Sequence, residues 1–528
     1  MNFNNKITKL NRWDYVSIIV SCTQVLVSFY TDRFIFSGIQ SQYVGYFIFD
    51  KIVYLVMAFV FWAWIIKATL GGGYRKQSFG WLLMKASSIY MLIFLICIIC
   101  VYPMIEFGGD IPFFIEPAKE YRLSGGLHWI STLLYVIGYM AFPIRGGATI
   151  LMCIMSSVSY GYVLVKAREL DVSKKWLVLM FLPPFIMEGI YPTRLTMMTL
   201  VFIVYFTWLY SNYINKEELT KKKIFLFLIY TGMLSVWRME GKYLLLFAPI
   251  LLMLAFRQKF TKKLLLKYFI LVLVAYMIFN IPDKFKEKIT IEQRLIPIVG
   301  YVLPLMEMEG VNWSKTDQYD VLNGYLNMDN MTIHEAELGI ELYRADYLAA
   351  LGDVFRYDEA SVSMKEYAWT AVKACLIHPI EYLNVRLKSF VITANGSTFP
   401  FYGSINNEDG SENTAREICL YILNGNRLTG IDTVHGNVWS VIWRNIVSFS
   451  KYLTWQLWLT LFGMFYIVIY TIRKRDIFTL FYACGLWVFT GIVFLFCPAC
   501  GFKYYWPVYT FVILFFLLVL KSEKKLIN

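Results

Sequence analysis

The run Phe511-Val-Ile-Leu-Phe-Phe-Leu-Leu-Val-Leu520 contains no polar side chain, and a second unbroken apolar run extends from Tyr90 to Val101. A helix needs about 20 mostly apolar residues to cross the hydrocarbon layer of a membrane, and both runs lie inside windows of that kind. The chain has 528 residues, of which 58% are hydrophobic and only 16% are charged, whereas soluble proteins average about 25% charged residues. These features predict an all-α, polytopic membrane protein.

Outward from these two runs, thirteen apolar segments can be recognised along the chain. They lie near residues 14–31, 44–66, 83–103, 127–143, 147–165, 176–191, 195–214, 224–237, 243–256, 268–282, 452–472, 477–497 and 503–520. Thirteen crossings would place the two ends of the chain on opposite sides, yet both ends carry the basic residues typical of the cytoplasmic side. We therefore expect about twelve transmembrane helices, with 127–143 or 147–165 partly re-entrant or lying along the interface.

The charge distribution sets the expected topology. Between Asp283 and Ser448 lie 22 of the 37 Asp and Glu but only 14 of the 50 Lys and Arg, which leaves an excess of 21 positive charges on the rest of the chain. That excess occupies short loops between apolar segments, as the positive-inside rule requires of cytoplasmic loops, so no nucleic-acid partner is expected. The prediction is a multi-pass protein of the cell (plasma or inner) membrane with both termini cytoplasmic.

Three regions follow from these patterns. Residues 1–282 form an N-terminal transmembrane bundle with an outer loop at 104–126, and residues 452–528 form C-terminal transmembrane helices. Residues 283–451 carry turn dipeptides such as Asn323-Gly324 together with amphipathic helical patterns. This segment is long enough for a small folded domain, and we expect it to be extracytoplasmic and mainly helical.

The outer loop at 104–126 contains the first candidate chemistry. It carries Glu106 and Asp110, the latter after two glycines, and His128 follows it. A carboxylate at the membrane surface beside apolar walls can become basic enough to accept a proton. Residue chemistry alone favours the simpler interpretation that these acids are solvated loop carboxylates.

Cations on the expected outer side form the second candidate group. Positive charge on that side runs against the positive-inside trend, which suggests either pairing with a local acid or binding of an anionic phosphate. The residues in question are Arg238 with Glu240, Lys503 with Tyr504, and Glu188 with Arg194. A lipid-phosphate sugar donor would need this combination, because cations stabilise the leaving phosphate while an acid deprotonates the acceptor hydroxyl.

The order of these motifs resembles bacterial members of the glycosyltransferase-C superfamily, the polytopic enzymes that use polyprenyl-phosphate sugars. The matching elements are Tyr102-Pro103 with Gly109-Asp110 and His128, Arg238 to Gly241, His378 to Leu383, and Lys503-Tyr504 with Pro507. The resemblance covers roughly residues 83–520, so the two spans before residue 83 would be an addition to the usual core.

The resemblance implies a role for each of these residues. Asp110 would be the base, assisted by Glu106 and His128, and Arg238 and Lys503 would contact the donor phosphate. Glu240, Tyr504, Glu188 and Arg194 would complete the substrate-binding site. The implied partners are the bilayer, a polyprenyl-phosphate-linked sugar donor and a glycan, lipid-linked or protein acceptor.

The cofactor requirement stays open. Many relatives carry a second acid after the turn near residue 192, where this chain has Thr193-Arg194. No cofactor is therefore certain, although Glu188 could substitute for that acid at a divalent metal.

Two other functions remain open from the sequence. One is a repeat-unit polymerase of O-antigen or capsule, which would rely on arginines in two outer loops, whereas only the long segment here is rich in them. The other is a lipid-linked oligosaccharide flippase or transporter, which needs ionisable residues within its spans. The spans here hold few beyond Asp50, Lys51 and Lys85.

Overall fold

The computed structural model describes most of the chain. The described residues are 11–36, 43–101, 117–123, 128–144, 146–286, 290–327, 343, 360–394, 450, 454–497 and 502–521. These residues are 83% helical and contain no strand, which confirms the all-α prediction.

Eighteen α-helices are described in these ranges. Helices α1 to α5 cover Arg12–Ile35, Val44–Thr69, Phe79–Val101, Trp129–Ala141 and Gly147–Glu169. Helices α6 to α10 cover Pro183–Ile190, Arg194–Ile214, Lys221–Trp237, Leu244–Ala255 and Lys262–Phe279. Helices α11 to α15 cover Ile291–Val299, Leu303–Met308, Tyr319–Asn323, Met364–Ile377 and Pro379–Ala394. Helices α16 to α18 cover Leu457–Lys474, Ile477–Phe496 and Trp506–Leu514, and α18 continues as a π-helix over Phe515–Leu520.

Eight helices in the described residues are long and apolar enough to cross a membrane. They are α1, α2, α3, α5, α7, α16, α17 and the final helix counted from Phe502 to Leu520. The predicted spans at 224–237, 243–256 and 268–282 are helical as α8, α9 and α10, but these are shorter or begin with several lysines. Eight helices in the described residues are thus candidate spans by length and composition, and the count of twelve stays a prediction.

The predicted span at 176–191 is a broken helix. A 3-10 helix over Lys174–Phe181 is followed by α6, and Leu182 between them has an extended backbone with ψ 143°. Pro183 and Pro184 cause the break, because a residue before proline avoids helical angles and proline has no N–H to donate. Helix α6 is therefore separate from the 3-10 helix, and it carries Glu188 close to the turn at Tyr191-Pro192.

The region 127–165 forms one short helix and one long helix. Helix α4 has 13 residues, about 20 Å at 1.5 Å per residue, which is too short for a hydrocarbon layer of about 30 Å. Helix α5 has 23 residues and meets the length for a full crossing. The two helices pack tightly where Gly138 faces Ala148, since a Cβ on Gly138 would lie 2.7 Å from the Ala148 Cα.

Two separate hydrophobic cores are present in the described residues. One belongs to the apolar helices α1 to α10 and α16 to α18, and the other lies within 296–392 around Trp313 and Tyr367. Helix α15 joins them, because Phe390 packs on Trp458, Phe494 and Tyr505. The segment after α10 is therefore a helical unit docked on one end of α16 and α17.

Candidate functional site

The turn between α8 and α9 positions Arg238. Helix α8 ends at Trp237, Arg238 is extended (φ −142°, ψ 157°), and a 3-10 helix covers Met239–Tyr243. The Gly241 N–H donates to the Arg238 carbonyl at 3.1 Å. A Cβ on Gly241 would lie only 2.0 Å from the Leu234 carbonyl oxygen. The Arg-x-x-Gly spacing thus has a steric cause, because only glycine lets the turn close against the last turn of α8.

Arg238 and Glu240 form a bidentate ion pair in this turn. The Arg238 guanidinium donates to the two carboxylate oxygens at 2.5 and 3.0 Å, and the side chains are 11% and 9% exposed. Burial raises the pKa of the Glu240 carboxyl, but the charge and hydrogen bonds of Arg238 outweigh it, so that pKa lies below its usual value. Both groups are therefore charged at neutral pH, and the pair neutralises part of the cationic charge at this site.

Lys503 and Tyr504 reach the same turn from the other end of the chain. The Tyr504 ring has the Arg238 guanidinium carbon 5.5 Å from its centroid and the Lys503 ammonium 5.3 Å away. The segment is held by Phe502, which packs on Trp455 with ring centroids 4.7 Å apart. No hydrogen bond or ion pair of the Lys503 ammonium is found among the described residues.

Glu188 and Arg194 flank the turn at Tyr191-Pro192 beside this group. Glu188 is only 1% exposed; its Oε2 accepts from the Thr196 hydroxyl at 3.2 Å, and within the described part of the chain its Oε1 has no partner. Lys503 is close enough for its charge to act on Glu188, and Arg194 acts in the same way on Glu240. The six predicted substrate-binding residues therefore lie together at one end of the bundle.

His128 is the N-cap residue of α4. Its Nδ1 accepts from the Ile130 N–H at 3.4 Å, and its Nε2 lies 3.7 Å from an Asp283 oxygen. Asp283 also accepts from the Trp129 N–H at 3.0 Å and from Lys286 at 2.8 Å. Burial lowers the pKa of His128 to about 4, although Asp283 opposes this shift. His128 is therefore neutral at pH 7 and fixes the start of α4 against the end of α10.

Glu106 and Asp110 lie outside the described residues, but the helices that precede and follow them contact the elements of the site. At the α3 end, Phe94 packs on Gly189, where a Cβ would meet the ring at 2.7 Å. At the α4 end, the Trp237 indole N–H donates to the Ser131 hydroxyl at 2.8 Å. Gly189 adjoins Glu188 and Trp237 adjoins Arg238, so α3 and the start of α4 both contact elements that carry the cluster.

Sequence reasoning missed Arg386, which is 2% exposed. Its guanidinium donates to the carbonyls of Cys497 at 2.7 Å and Ile298 at 2.6 Å. Tyr382, one helical turn earlier, donates to the Leu495 carbonyl at 2.5 Å. The (i, i+4) spacing of Tyr382 and Arg386 is a signal that could have indicated one shared face. These bonds hold the end of α17, from which the chain continues to Lys503.

A metal is not indicated by the residues in view. No group of three His, Cys, Asp or Glu side chains that could hold an ion is found within the ranges that the structure describes. Among the described residues, the charged side chain that acts on Glu188 is Lys503, a cation.

Comparison of the chain with known protein families, with curated proteins and with solved structures finds no match.

Proposed function

We propose that this protein is a membrane glycosyltransferase that moves a sugar from a polyprenyl-phosphate donor to a cell-envelope glycan, a lipid-linked oligosaccharide or a protein. The observation that carries the proposal is the convergence of Arg238 and Lys503 on the Tyr504 ring. These two cations are far apart in the chain but share one end of the bundle. A phosphate at a membrane surface is the ligand that this combination of two cations and an aromatic wall fits.

The proposed reaction is a single transfer step. The acceptor hydroxyl attacks the anomeric carbon of the sugar, and the bond between that carbon and the phosphate oxygen breaks. Asp110 takes the proton from the hydroxyl, and polyprenyl phosphate leaves with the bonding electrons. Arg238 and Lys503 stabilise the negative charge that develops on the leaving phosphate. The positive charge of Arg194 adds to the electrostatic stabilisation of the leaving phosphate, while Glu240 holds the Arg238 guanidinium in place.

The site requires a defined topology, which we propose as twelve crossings with α4 lying partly along the outer interface. In this arrangement the Arg238 turn is extracytoplasmic, the 3-10 helix Met239–Tyr243 and α9 together make one crossing, and the far end of α9 is cytoplasmic. Single cysteines at Lys242 and Lys259, two exposed positions at opposite ends of α9, test this placement. A membrane-impermeant maleimide should label the first and spare the second in intact cells, and the opposite pattern contradicts the topology.

The chemical test is substitution of Asp110. Purified Asp110→Asn protein is incubated with a panel of polyprenyl-phosphate-linked hexoses and pentoses, and released polyprenyl phosphate is measured. We expect normal membrane insertion and a loss of release of at least 100-fold, the lower end of the usual contribution of a general base. Asp171→Asn, an exposed acid at the opposite end of the bundle, is the matched control and should keep full activity. Full activity of Asp110→Asn would exclude the mechanism.

A second candidate function, a lipid-linked oligosaccharide flippase, is supported by one observation. Lys51 and Asp32 form a buried ion pair at 2.6 Å between α1 and α2, and Lys51 also donates to the Ser28 hydroxyl at 2.6 Å. Ionisable groups buried among spans often line transport paths. The two functions are separated by a Lys51→Met, Asp32→Asn double variant that still inserts. A flippase would lose lipid movement with it, whereas a transferase would still release polyprenyl phosphate.

A further inference from the structure

At the end of the bundle opposite the candidate site, two helix ends enclose a cavity of about 420 Å³. Arg257 follows α9, whose other end carries the Arg238 turn. Lys474 and Arg475 end α16, and Asp476 precedes α17, whose other end leads to Lys503. Helix α17 has 20 residues, about 30 Å, so the cavity and the site are about one bilayer thickness apart.

The cavity has a cationic rim and an apolar wall. Arg257, Lys474 and Arg475 are exposed and line it, with Asp476 as the acidic side chain among its lining residues. The wall is aromatic, because the Tyr213 and Phe478 rings stack with centroids 5.0 Å apart, and the Arg257 guanidinium carbon lies 5.3 Å from the Tyr213 centroid. An amphipathic anion matches this lining better than a small ion does.

Apolar side chains continue the wall toward the surrounding membrane. Phe260 and Ile477 line the cavity and are 52% and 60% exposed. Exposed apolar side chains next to cations at a helix end match the boundary between lipid headgroups and acyl chains. A ligand held here would therefore have a charged head at the interface and an apolar body in the bilayer.

The two arginines adopt a backbone conformation that favours glycine. Arg257 and Arg475 have φ values of 49° and 54°. Each ends its helix in the same way, with the next N–H bonded to a carbonyl five residues back (Gln258 to Met253 at 2.8 Å, Asp476 to Thr471 at 2.9 Å). Glycine is the usual residue at this position. In this protein an arginine takes that left-handed position at the end of both helices, and both arginines line the same cavity.

We infer that this cavity binds the phosphate headgroup of an anionic phospholipid in the leaflet opposite the candidate site. The three cations would contact the phosphate, while Phe260, Ile477 and Phe478 would pack on the glycerol and the first acyl carbons. Basic pockets between membrane helices recognise lipid headgroups in this way. The inference is independent of the proposed sugar transfer, because it concerns different residues at the other end of the bundle.

The test uses the full-length protein in detergent, titrated with phosphatidylglycerol, phosphatidylcholine or inorganic phosphate and followed by native mass spectrometry. The cavity variant is Arg257→Asn with Arg475→Asn, since asparagine is neutral and tolerates the left-handed conformation. The control variant is Lys216→Asn with Arg473→Gln. It removes the same charge from the same face, and Lys216 has the same left-handed backbone (φ 51°) but does not line the cavity.

We expect phosphatidylglycerol to bind the wild type and the control variant alike and to bind the cavity variant about 30-fold more weakly, because each cation near an anionic lipid contributes about fivefold. Equal weakening in both variants would show diffuse surface charge and overturn the inference. Binding of inorganic phosphate without preference for phosphatidylglycerol over phosphatidylcholine would also overturn it. If the double variant does not fold, the single Arg257→Asn and Arg475→Asn variants decide, each with an expected fivefold loss.

Discussion

At the scale of single residues, the candidate site depends on charges that are removed from water. Arg238 and Glu240 are each about nine-tenths buried and satisfy one another with two hydrogen bonds. Breaking a buried pair costs far more than the pair contributes, because the remaining charge is left without a partner. Glu240 is therefore a positioning residue for Arg238, and its removal should affect folding and phosphate binding together.

Glu240→Gln tests this role directly. We expect a loss of about 3 kcal/mol in the free energy of unfolding, the lower end of the range for breaking a buried ion pair. Arg238→Met together with Glu240→Gln should recover most of the stability, because no charge is then buried alone. Thermal unfolding of both variants in detergent measures the coupling between the side chains. Additive losses in the double variant would show that the pair is not the relevant interaction.

His128 predicts a dependence of stability on pH. The folded protein keeps it neutral down to about pH 4, whereas in the unfolded chain it takes up a proton near pH 6.5. Between these values the unfolded state binds more protons, so the contribution is complete above pH 6.5 and is lost as the pH falls toward 4. The loss should reach about 3 kcal/mol, at 1.36 kcal/mol per pKa unit.

Melting curves between pH 7 and pH 4 check this expectation against His128→Asn. Asparagine can cap a helix in the same position but does not titrate. The wild type should lose stability relative to the variant as the pH falls. Parallel curves for the two proteins would show that His128 is accessible to protons in the folded state.

At the scale of structural elements, the turn from α8 to α9 determines where the Arg238 guanidinium lies. Gly241→Ala would place a methyl group 2.0 Å from the Leu234 carbonyl oxygen, so the backbone must move. We expect a loss of at least 2 kcal/mol in stability, in the upper part of the range for single substitutions. Transfer activity should fall as well, because Arg238 and Glu240 belong to the displaced turn.

Gly491→Ala is the matched control for this prediction. Gly491 lies within α17, and a Cβ there would meet no atom within 4 Å. Alanine favours a helix over glycine by about 1 kcal/mol, so this variant should be neutral or slightly more stable. A Gly241→Ala protein that is as stable and active as Gly491→Ala would show that the turn has room to relax.

At the scale of the whole molecule, Arg386 connects the helical unit after α10 to the bundle. Its guanidinium bonds to the carbonyls of Ile298 and Cys497, which belong to the two different parts of the fold. Arg386→Met would leave these buried carbonyls without a charged donor, a loss of about 2 to 3 kcal/mol. Hydrogen exchange should rise in 290–394 and at the end of α17, while the other membrane helices stay protected.

Arg294→Met provides the comparison, because Arg294 is an exposed arginine of the same unit on α11. It should leave hydrogen exchange and activity unchanged. Unchanged exchange in Arg386→Met would mean that aromatic packing around Phe390 alone holds the two parts together.

The all-helical membrane fold was predictable from the sequence because the bilayer imposes a length and a composition on every span. Runs such as Tyr90 to Val101 satisfy both conditions without reference to any other residue. The motif residues Arg238, Glu240, Lys503 and Tyr504 were also identifiable, since charge and aromatic rings at the ends of apolar segments are visible in one dimension.

Only the tertiary structure decided which of these residues meet. The two prolines made the helix break at Pro183 predictable from the sequence. The packing of Phe94 on Gly189 and the hydrogen bonds of Arg386 to two distant carbonyls could not be predicted in this way. Contacts between residues separated by 88 to 111 positions depend on how helices of similar composition pack. Apolar periodicity assigns a helix to the membrane, but it does not select its neighbours, which are chosen by the fit of individual side chains.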